Sequence, residues 1–522
     1  MAKMVKIFID DQQLEVEEGM TILQAAEQVG LEIPHLCYHS AFPPEGSCRL
    51  CLVEIEGLPK LELACATKVR EGMKIQTKSQ KVIEARKGVL EFLLAEHPLD
   101  CPICDKAGEC KLQDYYEEYG LFEGQFEEEK EKKDKKVKIG KNLILDRERC
   151  ILCTRCVRFL REITKTEELG VFNRGMKSEI DIYNGLPVNN NYSGNLAEIC
   201  PVGAITDVDF RFKTRSWFLE KKDSICPLCG RGCNIQIEYH RGLGRFPLRQ
   251  RVYRIKARQN REINGYWICD KGRYEYSYLD EKRASRLIIR NMSPDSDVNW
   301  DEALNDLISR LKKLYFMNKT SRIGLILNSW LSNEELFLVK KIFKEDLKIE
   351  KIFFADPADE EGDDWLLTCE RSPNKRGVKE LGLPSEPLTI EALTENKIEC
   401  LLIFGPFFES LIGPAQLKSA LEPIEAKFLF TSHLPELDSV FDVIFPTSVI
   451  AEKEGTLTNV EGIVQKFAPA LPSWAESRAE WKILLELARK LDVNFSFYRR
   501  LSTPAHIYHQ LAEEIPFFRK RK

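Results

Sequence analysis

One imidazole and three thiols fall within fourteen residues of this sequence, at His97, Cys101, Cys104 and Cys110 in the stretch HPLDCPICDKAGEC. Pro98 and Pro102 interrupt any helix and Gly108 permits a tight turn, so the four donors are expected to converge from a loop onto one point. Soft donors converging in this way define a metal site. Two chemistries fit the donor types: zinc on three cysteines and a histidine, or an iron–sulfur cluster with one histidine ligand. The rest of the chain bears on that choice, because 15 of its 17 cysteines fall into four groups of ligand-like spacing once His97 completes one of them.

The first group, Cys37, Cys48, Cys51 and Cys65, is spaced C-x10-C-x2-C-x13-C. It follows two strands predicted from the alternation in VKIFID and QLEVEE and a helix with Thr21 as N-cap, an opening that resembles a β-grasp ferredoxin. The long first gap and that context suit a [2Fe–2S] cluster better than a zinc ribbon, though the spacing is not that of plant-type ferredoxins. Arg49, inside the loop, is either a countercharge to an anionic cluster or a surface arginine. A later group, Cys150, Cys153, Cys156 and Cys200, sets C-x2-C-x2-C ahead of a distant I-C-P. Ferredoxin-like folds use that pattern to put three thiolates on one [4Fe–4S] cubane and bring the fourth from elsewhere. Leu160 stands where a two-cluster ferredoxin would carry its next cysteine, so a single cluster is expected there. Cys226, Cys229, Cys233 and Cys269 form the last group, with the predicted strands NIQIEY and RVYRIKA between its hooks; a zinc ribbon shares that outline, and the C-x2-C-x3-C spacing followed by C-D-K-G-R favours a cubane. Cys369 and Cys400 fit no group and are expected to be buried or incidental thiols.

These donors need elements to position them. KVIEARKGVLEFLLAEH reads as an amphipathic helix from Gln80 to Glu96 that delivers His97, and KLQDYYEEYG as a second helix closed by Gly120. EEEKEKKDKK, residues 127–136, reads as a solvated connection. From Trp300 onward the character changes to helices alternating with apolar strands (RIGLIL, KIFFAD, ECLLIFG, KFLFTS), a βαβ pattern with a parallel sheet and neither a dinucleotide nor a P-loop glycine motif. At 522 residues the chain has room for several cores, and a formal net charge of −5 offers no electrostatic case for nucleic acid. The cysteine pattern favours a reducing compartment over disulfide stapling, and no apolar run is long enough for a signal peptide or a membrane span.

Taken in order, the motifs C-x10-C-R-L-C-L-V-E-I-E-G, H-P-L-D-C-P-I-C-D-K-A-G-E-C-x-L-Q-D, C-I-L-C-T-R-C-V-R-F with E-I-C-P-V-G-A-I-T, and C-P-L-C-G-R-G-C resemble the large iron–sulfur subunit of respiratory complex I, the G subunit of bacterial NADH-quinone oxidoreductase. Residues 1–275 match almost throughout. The remainder is similar to a shortened molybdopterin-oxidoreductase domain, most clearly in FPTSVIAEKEGTLTNVEGIVQ at 445–465. The resemblance implies an α+β and α/β multidomain chain. Its parts would be a β-grasp [2Fe–2S] ferredoxin-type domain over 1–79, a helical His/Cys [4Fe–4S] module over 80–120 and a ferredoxin-like [4Fe–4S] module over 140–216. A molybdoenzyme-type [4Fe–4S] domain over 219–275 and a molybdopterin-oxidoreductase-like α/β domain over 276–522 would follow. It implies one [2Fe–2S] cluster on Cys37, Cys48, Cys51 and Cys65. Three [4Fe–4S] clusters would sit on His97, Cys101, Cys104 and Cys110, on Cys150, Cys153, Cys156 and Cys200, and on Cys226, Cys229, Cys233 and Cys269, the last away from the main electron path.

No catalytic site of its own is implied. The expected role is a relay that accepts electrons from a flavin- and NADH-binding subunit and passes them, through the [2Fe–2S], His-ligated and third clusters, to quinone-proximal cluster subunits. The chain would be peripheral, on the cytoplasmic side of the plasma membrane, touching the membrane only through its complex. No molybdenum is expected, since only 253 residues follow Cys269 and neither Cys369 nor Cys400 reads as a ligand. Lys271 resembles the lysine between cluster and pterin in molybdoenzymes, and otherwise balances charge beside an anionic cluster. The iron–sulfur part of an NAD-linked formate dehydrogenase or hydrogenase shares the first two modules and is the rival family; Leu160 speaks against it. A zinc-bound interaction scaffold is the rival from another class.

Overall fold

Alternation in MVKIFI turns Val5, Ile7 and Ile9 inward and leaves Met4 and Lys6 exposed, so β1 (Met4–Ile9) buries one face against the core. It pairs antiparallel with β2 (Gln12–Glu17) across Asp10 and Asp11, both at positive φ, as a tight hairpin requires. Thr21 and Gln24 cap α1 (Ile22–Gln28) reciprocally. With β3 (Leu52–Ile55), β4 (Glu62–Leu63) and β5 (Lys74–Gln76) the sheet runs β2-β1-β5-β3-β4, β1 and β5 being parallel, and α1 covers its apolar face. The computed structural model describes residues 3–120, 124, 126–240, 251–290, 299–384, 387–410 and 412–519. They divide into two units, Met1–Leu219 and Glu220–Lys522.

In the first unit, Ser79 caps α2 (Gln80–Glu96), and the buried Arg86 ties that helix to the Leu52 carbonyl at 3.2 Å and to the Tyr119 hydroxyl of α3 (Lys111–Tyr119) at 2.9 Å. Pro102 does not exclude helical turns altogether: Cys101–Ile103 forms a single 3-10 turn with proline in its first positions, where the missing N–H costs nothing. Gly120 ends α3, but at φ −84 and not in the left-handed region; a Cβ there would lie 2.3 Å from the Tyr116 carbonyl oxygen, so it is steric room that requires glycine. Beyond it β6 (Val137–Lys138), β7 (Leu143–Leu145) and β10 (Ile205–Asp207) make a three-stranded sheet. Between β7 and β10 lie α4 (Arg155–Arg158), which continues into a π-helical turn over Phe159–Thr164, a hairpin of β8 (Leu169–Phe172) and β9 (Glu179–Ile182), and α5 (Asn195–Ile199).

The second unit opens with an antiparallel meander of β11 (Glu220–Ile225), β12 (Asn234–Tyr239) and β13 (Val252–Ala257), followed by α6 (Asp270–Tyr274). Its larger part is a six-stranded sheet of β14 (Ile288–Ile289), β15 (Ile323–Leu327), β16 (Lys351–Phe354), β17 (Cys400–Phe404), β18 (Ala426–Thr431) and β19 (Val443–Pro446), ordered β14-β19-β18-β17-β15-β16. All pairs are parallel except β14 with β19. β15, β17 and β18 are buried at every position, as expected of strands covered on both faces by helices. Phe404, Phe430 and Phe445 stack across β17, β18 and β19 with centroids 4.5 and 4.6 Å apart. The stretch 445–465 serves this core: Lys453 is fully enclosed and its Nζ lies 2.8 Å from Glu335 Oε2 and 2.6 Å from Glu480 Oε2.

Candidate metal centres

The loop from α1 to β3 and the end of β4 bring the first set together. All four of its thiols are buried, Leu36 N–H donates to Cys48 Sγ at 3.4 Å, and Cys37 meets Cys48 while Cys51 meets Cys65. In each couple one sulfur is favoured as thiolate by the hydrogen bond its partner donates: that bond pulls Cys37 down to about 5 against the opposing effect of burial, and lowers Cys65, while Cys48 and Cys51 are raised. Arg49 adopts φ 57 and is exposed, the surface alternative of the two expected for it.

His97 is the residue after the last turn of α2, Cys101 and Cys104 bracket the 3-10 turn, and Cys110 is the N-cap of α3. Gly108 turns the loop at φ 81, with the Trp217 ring 2.7 Å from where a Cβ would stand. His97, Cys101 and Cys110 line a cavity of about 370 Å³ walled by Leu94, Leu99 and Tyr116. Burial, with Lys130 and Arg149 adding to it, pulls the imidazole down to about 4, so the ring is neutral; its Nδ1 is buried without a hydrogen-bond partner. A neutral imidazole with an orphaned buried nitrogen beside thiols suits a metal-bearing group.

The charged run 127–136 is largely exposed and without regular structure, as its composition suggests, and it is also tied down at several points. Lys130 Nζ donates to the carbonyls of Leu94 (2.6 Å) and His97 (2.7 Å), closing the C-terminus of α2, and Glu131 N–H donates to Glu96 at 2.8 Å. Lys133 Nζ donates to the Ser178 carbonyl at 2.7 Å, and Lys135 pairs with Asp100 and Glu148 at 2.7 Å. The segment is a strap across the His97 loop.

Cys150, Cys153 and Cys156 lie on a turn in which Leu152 and Thr154 both take left-handed conformations, and Cys200 follows α5. Burial pushes Cys150 up to about 12 and Cys153 to about 11, and burial first, with the charges of Cys153, Cys150 and Cys200 second, raises Cys156 well above the ordinary thiol value. The thiols of this set therefore lie out of water and close enough to act on one another. Leu160 is buried in the π-helical turn. In the second unit, Cys226 N–H donates to the Cys233 carbonyl at 2.8 Å, closing the β11–β12 hairpin, and Gly272 N–H donates to Cys269 Sγ at 3.4 Å. Cys226 and Cys233 are raised well above the ordinary thiol value by burial first and by the other thiols of the set second. Lys271 is paired with Glu360 at 2.8 Å and Glu275 at 3.9 Å. Among the described residues no three His, Cys, Asp or Glu side chains are gathered as ligands of a single ion. Cys369 is exposed and Cys400 is buried in β17.

The order in which the sets adjoin differs from their order along the chain. Arg158 Nη2 donates both to the carbonyl of Cys37 and to that of Cys153 (3.2 Å), so the first and third sets meet. The third then meets the second, because a Cβ on Gly203, in the C-P-V-G turn after Cys200, would stand 2.2 Å from Cys104 Sγ. Through these contacts the ligand loops adjoin as first, third, second, which differs from the [2Fe–2S], His-ligated, third sequence expected of the relay. Arg155, Arg158, Lys130 and Gly203 were not singled out by spacing; the two arginines lie inside C-T-R-C-V-R, where they were legible as cations beside ligands.

Comparison with known proteins defines the class first. Residues 2–80 match the 2Fe-2S iron-sulfur cluster binding domain, 86–124 the NADH-ubiquinone oxidoreductase-G iron-sulfur binding region, and 140–206 the ferredoxin-like domain of NADH-quinone oxidoreductase subunit 3. Residues 219–281 match the molybdopterin oxidoreductase Fe4S4 domain and 370–490 the molybdopterin oxidoreductase family. The chain is thus a multidomain iron–sulfur protein with [2Fe–2S] and [4Fe–4S] binding domains.

Its curated homologues are the G subunit of NADH-quinone oxidoreductase and the corresponding 75 kDa subunit. It is 38% identical over 406 residues to the NADH-ubiquinone oxidoreductase 75 kDa subunit of Reclinomonas americana, covering 77% of this chain and 56% of that one. To the NADH-quinone oxidoreductase G subunit of Rickettsia felis it is 40% identical over 343 residues, 66% of this chain and 49% of that one. To the G 2 subunit of Rhizobium meliloti it is 37% identical over 67% of this chain and 40% of that one. The chain spans about half the length of the curated relatives it matches. A chain from a solved NAD+-reducing [NiFe]-hydrogenase is 32% identical over 41% of this chain and 91% of that one, with a TM-score of 0.38. Among the described residues no helix is long and apolar enough to cross a membrane.

Proposed function

We propose that this chain is an electron-relay subunit of an NADH-quinone oxidoreductase, holding one [2Fe–2S] cluster on Cys37, Cys48, Cys51 and Cys65 and three [4Fe–4S] clusters on the sets completed by His97, Cys200 and Cys269. The carrying observation is the succession of ligand loops in the first unit, joined by Arg158 between Cys37 and Cys153 and by the close approach of Gly203 to Cys104. When bound, such clusters supply one-electron carriers, so the hydride of NADH must be divided by a flavin on a separate subunit before this chain acts. The chain's own residues bury the thiols, keep His97 neutral and hold cations beside the ligands, which are the means by which a protein sets potentials. The partners in this reading are the flavin- and NADH-binding subunit and the quinone-proximal cluster subunits. The membrane is met only through the complex, on the cytoplasmic side of the plasma membrane.

The molybdoenzyme-like region is read without molybdenum. Lys271 is engaged by Glu360 and Glu275, so its charge is matched by carboxylates, and Cys369 and Cys400 are exposed and strand-buried respectively. Cys153→Ala tests the whole reading in the native complex. It is expected to remove about four irons per chain and abolish quinone reduction while NADH oxidation by an artificial acceptor continues. Near-normal quinone reduction in an assembled, iron-depleted variant would contradict it.

A further inference from the structure

Buried cations ordinarily sit on carboxylates, because an uncompensated charge out of water is costly. Arg158, which is buried, and the half-buried Arg155 beside it depart from that pattern. They stand three residues apart on one turn and so share a face. Arg158 is 2% exposed and directs its donors at the carbonyls of Cys37, Cys153 (3.2 Å) and Pro43 (3.0 Å) and at Thr154 Oγ1 (3.2 Å), with its guanidinium carbon 5.3 Å from the Phe42 ring centre. Arg155 donates to the carbonyls of Tyr38 and Ile199, the latter at 3.2 Å. Among the described residues neither is paired with a carboxylate. Through the carbonyls of Ile199 and Tyr38, the chain neighbours of Cys200 and Cys37, Arg155 reaches the ligand loops of the third and first sets.

Carbonyls satisfy N–H donors without cancelling the charge behind them. A guanidinium held in this way keeps its positive field, and in a poorly hydrated place that field is weakly screened. Clusters on four thiolates are anionic and gain a further negative charge on reduction, so a fixed cation nearby favours the reduced form. Arginine is suited to the position because its planar fork reaches carbonyls on separate loops at once. Resting on the assignment of clusters to these two sets, we propose that Arg155 and Arg158 are a shared countercharge. They are held between the first and third sets by backbone carbonyls and raise the reduction potentials of both clusters together.

The test is a potentiometric titration followed by EPR on the full chain in its native complex, comparing Arg155→Gln with Arg155→Lys. The glutamine variant is expected to lower the midpoints of the Cys37-set and Cys150-set clusters, each by at least tenfold in the oxidised-to-reduced ratio at fixed potential, or 59 mV for one electron. The His97-set midpoint is expected to stay unmoved, and lysine to restore both others. Both signals present with unmoved midpoints in Arg155→Gln, a shift of only one cluster, or failure of lysine to restore them would overturn the proposal. If glutamine prevents either cluster from assembling, the lysine variant decides: parent midpoints uphold the shared charge, and loss of the clusters there too makes Arg155 a purely structural clamp. Absence of the two signals from the parent complex, with iron and sulfide to match, would instead defeat the cluster assignment.

Discussion

Gly203→Ala probes the junction between the third ligand set and the second. The φ of Gly203 lies outside the left-handed region, so alanine meets no backbone objection, and the obstacle is one of space. An added Cβ would stand 2.2 Å from Cys104 Sγ, 3.3 Å from Lys106 Cβ and 3.6 Å from Arg149 Cδ. Ordinary non-bonded contacts lie at about 3.5–4.0 Å, so the sulfur or the turn has to retreat by roughly 1.5 Å. The surroundings resist movement of the turn: Arg149 is held by Asp100 at 2.9 Å, and Lys106 Nζ donates to the Ala197 carbonyl at 3.1 Å. Overpacking of this kind costs about 1–3 kcal/mol, which a chain with two large units survives. A metal ligand tolerates only about 0.2 Å, so the cofactor is hurt before the fold is. Iron analysis and EPR of the purified complex should therefore show loss or gross alteration of the His97-set signal, with about four irons missing and the [2Fe–2S] signal retained. Full iron content with an unaltered His97-set spectrum and midpoint would refute the claim that this glycine is required by Cys104.

Removing the ammonium with Lys130→Met leaves the carbonyls of Leu94 and His97 unpaired, at a cost of about 1–3 kcal/mol; by potentiometric EPR the His97-set midpoint should fall while the [2Fe–2S] midpoint stays put. The fourth set lies among cations already matched by carboxylates, Lys271 with Glu360 and Glu275 and Arg231 with Glu461, so its cluster should titrate below the Cys150-set cluster, and a midpoint at or above it would count against the electrostatic argument. Burial raises Glu334 from 4.5 to about 7, so its contribution to stability is fully present below 4.5 and is lost as pH rises through 7. The stability of the native chain relative to Glu334→Gln, from thermal denaturation, should accordingly drop by about 2 kcal/mol between roughly pH 5.5 and 7.5, and a flat or rising difference would show the carboxyl to be ionised throughout.

What could be read from the sequence was local. The first hairpin, the capped helix at Thr21 and the helix from Gln80 to Glu96 follow from alternation and caps carried by neighbouring residues, and the structure has all three. The parallel sheet of the second unit was legible because strands buried on both faces are continuous apolar runs. What escaped depends on partners distant in the chain: Arg158 reaches a carbonyl 121 residues away and Lys130 one 36 residues away. Composition was right that 127–136 is largely exposed and silent about what ties it down, for a related reason. A run of lysines and glutamates in isolation is solvated, but here the lysines find helix-end carbonyls and acidic side chains of the ligand loop, and no count of charges reveals those acceptors. The adjacency of the first and third sets was hidden likewise, since spacing groups ligands into sets and says nothing of which sets touch.

The recurring device around the ligand loops of the first unit is a cation bound to a neutral acceptor that belongs to a ligand residue. Arg158 takes the carbonyls of Cys37 and Cys153, Arg215 that of Cys104 at 2.6 Å, and Lys130 that of His97 at 2.7 Å. A carboxylate in any of these places would hold the cation as firmly and annul its field; a carbonyl holds it and leaves the field intact. The location of the charge is then fixed by the same backbone that fixes the donor atom, so the shape of a ligand loop determines both where a sulfur or nitrogen stands and how strongly the positive charge beside it acts. Coupling of this sort gives a reason for arginines inside C-T-R-C-V-R in place of a free choice of surface residue: their side chains return to the carbonyls of the loop they interrupt and of the loop it faces.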